Sequence, residues 1–297
     1  MLTLLENIDY RILAIGSAIF AAISNILAKK LLSDIEAKDV LGLNFLLMTG
    51  TLAILSPWFF EFNISKQFYN SIPIAVPLVV MTSIIDLFGN YYYFKSFEKC
   101  DASSVTPILS ISPGFVFILS WLCLNDKVNI IQLTFAVIVI FCIIIMSSNT
   151  NTKNRKYDVL PALFASFLFA LSAIPSKYLL ANDLINPPTL YEIRAGIIGL
   201  VSVMYFGSGI EKLNNLHFRK LFIRSLFVIV QWIFLYASLI KGSAGIAITL
   251  SSTAPVFVLL FSCLFLKEIV SLKKILCALM VLIMAIRLFQ PNLGTTS

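Results

Sequence analysis

Apolar blocks of about 20 residues recur along the chain between short polar connections, each long enough to cross a hydrocarbon core of about 30 Å at 1.5 Å per residue. They cover roughly residues 11–31, 40–60, 73–94, 103–124, 128–148, 159–181, 189–210, 222–241, 244–266 and 272–290, a pattern that predicts ten membrane helices. Period-2 alternation between turns is absent and the blocks are about twice the length of barrel strands, so a membrane barrel is disfavoured. The first block ends in NILAKK and no small-residue cleavage site follows it, so it reads as a retained helix, not a signal. Composition agrees with the pattern. Of 297 residues, 59% are hydrophobic and 12% charged, and the mean hydropathy is +0.93, whereas soluble domains carry about 25% charged residues.

The blocks also repeat. Laying SVTPILSISPGFVFILSWLCLNDKV over GIAITLSSTAPVFVLLFSCLFLKEIV aligns Pro113 with Pro255, an offset of 142 positions (255 − 113), without a gap. The same offset pairs Ser96 with Ser238, Lys99 with Lys241, Ser110 with Ser252, Ser120 with Ser262 and the acids Asp126 and Glu268. Leucine and valine match by chance between any two apolar helices; proline, serine, lysine and acid do not. Earlier, SNILAKKLL (Ser24 to Leu32) resembles SAIPSKYLL (Ser172 to Leu180) at an offset of 148 (172 − 24). Residues 1–148 and 159–297 are therefore read as two copies of a five-helix unit, joined by the polar linker 149–158. Five spans is an odd number, so the second copy enters from the opposite side, making the inverted repeat from which many secondary transporters are built.

The order "short loop, small residues, apolar run, Pro, apolar run, acid" appears as KCDASSVTPILSISPGFVFILSWLCLND and again as KGSAGIAITLSSTAPVFVLLFSCLFLKE. In this, and in length, helix number and duplication, the chain resembles the drug/metabolite transporter superfamily, specifically its ten-helix EamA family. The resemblance implies an all-helical transporter that moves a small metabolite by alternating access. Its motif is degenerate and names no substrate. The family usually has Glu at the acid position, where the first half carries Asp126.

Charged groups inside the blocks mark the candidate chemistry, because a charge at the centre of a helix in lipid costs at least about 2.5–3.5 kcal/mol. Asp86 lies in SIIDLFGNYYYF with Asn90 and Tyr93 following at i+4 and i+7, one helical stripe. It is read as a substrate wall or proton site, against the alternative of a protonated Asp bonding a neighbouring helix. The 142 offset sets Trp232 opposite Asn90 and Tyr236 opposite Phe94, with Gln231 beside them. Tyr91 to Tyr93 also fit an interfacial aromatic belt. Lys177, Glu192 and Arg194 cluster at span ends, where two readings stand. One is snorkelling with a Glu–Arg bridge; the other is an anion clamp built on the planar guanidinium. Asn25 and Lys29 line a cavity mouth or anchor at the interface. Ser110, Ser112, Ser252 and Thr253 are expected to line the pathway beside a hinge at Pro113 and Pro255, while Pro107, facing Thr249, opens its span.

The scattered cysteines Cys100, Cys123, Cys142, Cys263 and Cys277 and the one His217 show no metal spacing, and no catalytic constellation is found. An enzyme, a cofactor, a metal and nucleic-acid binding are accordingly not expected. Expected partners are a small-molecule substrate such as an amino acid or nucleoside-like cofactor, the lipid bilayer, and coupled protons or an exchange substrate. A monomer or homodimer in a bacterial inner membrane is expected. A lipid flippase is the rival class. Odd-numbered connections carry about fifteen Lys and Arg against about six elsewhere, which puts both termini outside by the positive-inside rule; the family resemblance implies the reverse.

Overall fold

The structure, a computed structural model, describes residues 8–32, 35–59, 61–99, 102–109, 111–124 and 160–266, with isolated helical positions at 134, 137, 138, 141, 276, 279, 280 and 283. The expected spans 128–148 and 272–290, the linker 149–158, Ser110, Asp126 and Glu268 lie wholly or mainly outside the described residues.

All named elements are helical: α1 (Tyr10–Leu31), α2 (Ala37–Phe59), α3 (Lys66–Asn70), α4 (Ile72–Lys99), α5 (Ala102–Leu109), α6 (Ser112–Leu124), α7 (Leu160–Ala181), α8 (Pro187–Phe206), a 3₁₀ turn (Ile210–Lys212), α9 (Asn215–Lys241), α10 (Ala244–Ser251) and α11 (Ala254–Leu266). Among the described residues seven segments are long and apolar enough to cross a membrane, the last being Ala244–Phe261 across the α10–α11 junction, and Ser112–Cys123 is a shorter apolar helix. Side chains sort inside out. Trp58, Ile118, Trp121, Met204 and Leu264 face outward, whereas Ser17, Asn25, Asn44, Ser83, Asp86 and Ser166 are buried. That is the arrangement expected where the solvent is hydrocarbon and polar groups must find partners within the bundle.

Two expected spans are each broken in two. The bounds of α5 and α10, and of α6 and α11, lie 142 positions apart (244 − 102 and 266 − 124). At both breaks the same backbone bonds form: Ile111 N–H to Ile108 C=O (3.1 Å) and Gly114 N–H to Ile111 C=O (3.0 Å), against Thr253 N–H to Leu250 C=O (3.2 Å) and Val256 N–H to Thr253 C=O (2.9 Å). The expected proline kink is thus a full interruption. Pro113 and Pro255 each stand at the second position of the new helix, where a missing N–H costs little. Thr253 Oγ1 donates to the Leu250 carbonyl at 2.7 Å, occupying an acceptor that the break frees.

The largest helix contacts are α1 with α9, α4 with α7, and α2 with α8. Exchanging the two halves maps the first pair onto the second and the third onto itself. The α2–α8 crossing is close because glycines stand in it: a Cβ on Gly199 would lie 2.9 Å from Leu46 Cδ2 and 3.0 Å from the Leu46 backbone N, the small-residue packing that membrane helices use. Gly199→Ala is expected to lower stability by about 1–3 kcal/mol through overpacking, read as a lowered melting temperature in detergent. Below this crossing Gly209, with φ +60, tucks its backbone against Asp39 where any Cβ would fall on the Asp39 carbonyl, and Lys212 Nζ holds the Asp39 carboxylate at 2.8 Å.

Candidate functional site

Both breaks open onto one cavity of about 140 Å³, whose lining includes Leu109, Ser112, Ser251, Ser252 and Ala254 from the broken helices. Its other walls are Ala21 and Asn25 of α1, Tyr93 of α4, Phe169 to Ser176 of α7, Arg194 of α8 and Gln231 to Leu239 of α9. The polar lining follows from local chemistry. Pro175 in α7 cannot bond the Leu171 carbonyl, and nearby Ser172 and Ser176 turn their hydroxyls onto the helix at Phe169 O (3.1 Å) and Ser172 O (2.6 Å).

Arg194 is the centre of the site. It lies well inside α8, 2% exposed, and gathers three other helices. Its Nη1 donates to Ser176 Oγ at 2.8 Å on α7 and to the Tyr236 hydroxyl on α9. Its Nη2 pairs with Asp86 Oδ2 on α4. The rings of Trp232 and Tyr236 cover the guanidinium, with Cζ 5.8 and 5.4 Å from their centroids. Arg194 therefore does not snorkel to the interface, and its partner is Asp86, not Glu192. Residues two apart on a helix face different ways, which is why the Glu192–Arg194 bridge does not form.

Among the other sequence candidates, Tyr93, Gln231, Trp232, Tyr236, Ser112 and Ser252 line the cavity with Arg194. Asp86 stands behind the lining, 4% exposed, reaching the cavity only through Arg194. Asn90 turns its amide to the Asp86 backbone carbonyl at 2.8 Å and is not part of the lining, nor is the half-buried Lys177. Thr253 is buried at the break. Asn25 is a wall residue, bonded by Tyr93 Oη at 2.7 Å and reaching Thr106 Oγ1 at 3.4 Å, while Lys29 donates instead to the Phe97 carbonyl at 3.1 Å.

Sequence reading missed a second buried guanidinium, Arg224, 3% exposed. It donates to Asn44 Oδ1 at 2.6 Å and lies 4.8 Å from the Phe94 centroid and 5.9 Å from that of Tyr93. The helix begins at Asn215, so Arg224 sits more than two turns inside a helix whose apolar block was placed from residue 222. Among the described residues no group of three His, Cys, Asp or Glu side chains could hold a metal ion.

Comparison with known proteins agrees with this architecture. The model of the EamA-like transporter family matches twice, over residues 10–148 and 157–289. A protein of Archaeoglobus fulgidus described as an uncharacterized transporter is 26% identical over 218 residues, covering 72% of this chain and 75% of that one. A protein known from its crystal structure shares the fold with a TM-score of 0.69 at 11% identity, over 93% of this chain and 98% of the other. Seven apolar spans, a polar interior and two matches to one family model together make this chain a membrane transporter of the EamA-like family, within the drug/metabolite transporter superfamily.

Proposed function

We propose that the protein is a secondary transporter of the inner membrane, built as two inverted five-helix repeats, that carries a small metabolite through the Arg194 cavity by alternating access. The carrying observation is the site itself: a buried arginine and an aromatic wall meet the ends of two interrupted helices. Half-helix ends that meet a cavity present backbone groups and dipoles to a solute, the arrangement secondary transporters use for substrate. The coincident bounds of α5 with α10 and α6 with α11 support the repeat, as does the double family match. The cavity is small beside ligand pockets of about 300–1,000 Å³, which suits a compact solute.

An access route is proposed on the side where α7 ends and α8 begins. A recess of about 370 Å³ there is lined by Asn63, Ser65, Asp183, Asn186 and Lys241, and it shares the last turns of α9 with the cavity. A flippase would instead use the lateral groove of Ile74, Leu78, Met81, Leu119, Ile174 and Tyr178. That groove is almost wholly apolar and offers no track for a headgroup, so passage of a water-soluble solute is the better reading.

Alternating access is tested by placing a cysteine at Ala173 in the cavity wall, in a chain whose five native cysteines are serine. Membrane-impermeant thiol reagents added from each side of oriented vesicles should label it from both faces over time, with substrates found in a labelled metabolite panel shifting the ratio. Labelling from one face alone, unmoved by every panel member that is taken up, overturns alternating access.

A further inference from the structure

The Asp86–Arg194 pair is incomplete. Arg194 and a carboxylate are strongest as two parallel N–H···O bonds, yet here the contact runs from Nη2 to Oδ2 alone. Arg194 Nε and Nη2 and Asp86 Oδ1 are buried without a hydrogen-bond partner. The rest of the guanidinium is committed: Nη1 serves Ser176 and Tyr236, and the Trp232 and Tyr236 rings cover it. What lacks a hydrogen bond is the Nε–Nη2 edge, the edge a carboxylate grips with both oxygens. Arg194 lines the cavity and Asp86 does not, so a carboxylate entering the cavity meets Arg194 and not Asp86.

We infer that the transported solute is a small organic monocarboxylate, and that Asp86 is an internal stand-in for its carboxylate, holding Arg194 when the cavity is empty. Resting on the transporter reading, this names its substrate class. Removing one partner of a buried ion pair is costly because a bare charge remains; exchanging one carboxylate for another of equal charge and shape keeps Arg194 paired. A phosphate dianion would leave an extra negative charge in a dry site, and a neutral solute would leave that edge unused. The body of the ligand meets Phe169, Trp232, Leu235 and Ile248, a wall suited to a flat apolar group.

Trp58 and Trp121 are exposed at 74% and 64%. Replacing both with Phe leaves Trp232 as the one tryptophan, since the chain has three, and its fluorescence then reports the cavity in purified, detergent-solubilised protein. Benzoate should quench it saturably, benzyl alcohol and inorganic phosphate much less. Asp86→Asn, which deletes the internal competitor while keeping a carbonyl for Arg194, should tighten benzoate by about tenfold, equivalent to about 1.4 kcal/mol. Arg194→Gln should abolish saturable quenching. Unchanged or weaker benzoate binding in folded Asp86→Asn overturns the proposal, as does phosphate or benzyl alcohol binding as well as benzoate to the unmodified site. That second arm needs no Asp86 variant. If both arms fail while the cysteine at residue 173 still alternates between faces, the transporter reading stands and the anion assignment alone falls.

Discussion

Arg194→Lys is expected to lower transport by about two orders of magnitude or more while the protein still inserts and folds. The guanidinium ties α8 to Asp86 on α4, Ser176 on α7 and Tyr236 on α9 at once, using its planar fork between two aromatic rings. A lysine ammonium keeps the charge but is a compact point donor on a flexible stem, and it cannot hold this geometry. It can retain the Asp86 contact and must give up two others. Hydrogen bonds to a charged group contribute about 1.5–3 kcal/mol each, so losing two from the carrier's working states amounts to about 3–6 kcal/mol, or about 10²- to 10⁴-fold in rate if the loss falls on the translocation barrier. Retaining the Asp86 pairing spares the protein the uncompensated charge that makes Arg194→Met a folding risk. Uptake into proteoliposomes, beside a melting curve of the same preparation, separates the two effects. Near wild-type uptake would reduce Arg194 to a packing element.

Much of this architecture is legible in the residues because the bilayer imposes a coarse rule on composition and the duplication imposes a second. Pro113 and Pro255, matched without a gap, predict where the chain departs from regular helix, and the structure interrupts both spans there. Sequence could not say that the departure would be a break: that depends on Ile111 and Thr253 finding i−3 carbonyl partners, a matter of backbone geometry. Trp232, Tyr236, Gln231 and Tyr93 were reachable because polar and aromatic residues within an apolar block need a protein partner. Pairing was not reachable. The i,i+2 spacing argues against Glu192 as the partner of Arg194, but Asp86 and Arg194 are more than one hundred positions apart, and nothing local points to Asp86. Asn90 misled for a related reason: an amide at i+4 satisfies itself on the carbonyl of its own helix as readily as it faces a cavity. Arg224 was missed: its helix begins about two turns before the apolar block placed from residue 222, so a charge deep in the helix stood at the edge of the expected span.

On the monocarboxylate proposal, transport is driven by a proton gradient through Asp86, and Asp86→Asn should uncouple the two. When a substrate carboxylate takes the Nε–Nη2 edge of Arg194, Asp86 loses its counter-charge in a place with 4% exposure, and a bare carboxylate there is too costly to persist. The remaining buried cation, Arg224, is engaged with Asn44 and the Phe94 and Tyr93 rings. The phenol of Tyr236 shares Arg194 with Asp86, and Tyr93 lines the same cavity. On the monocarboxylate proposal, proton uptake by Asp86 would return the cavity to its original net charge, so anion and proton would move together. Anion binding then strengthens as pH falls, because protonation of Asp86 and binding to Arg194 favour one another, and this dependence is absent when residue 86 is Asn. In vesicles the wild-type protein should accumulate a transported monocarboxylate against its gradient when the opposite side is alkaline. The Asp86→Asn protein should equilibrate or exchange it at a comparable rate, with no accumulation and no pH dependence of affinity between pH 5 and 8. Undiminished proton-driven accumulation in that variant would remove Asp86 from the coupling step and leave it a structural partner of Arg194.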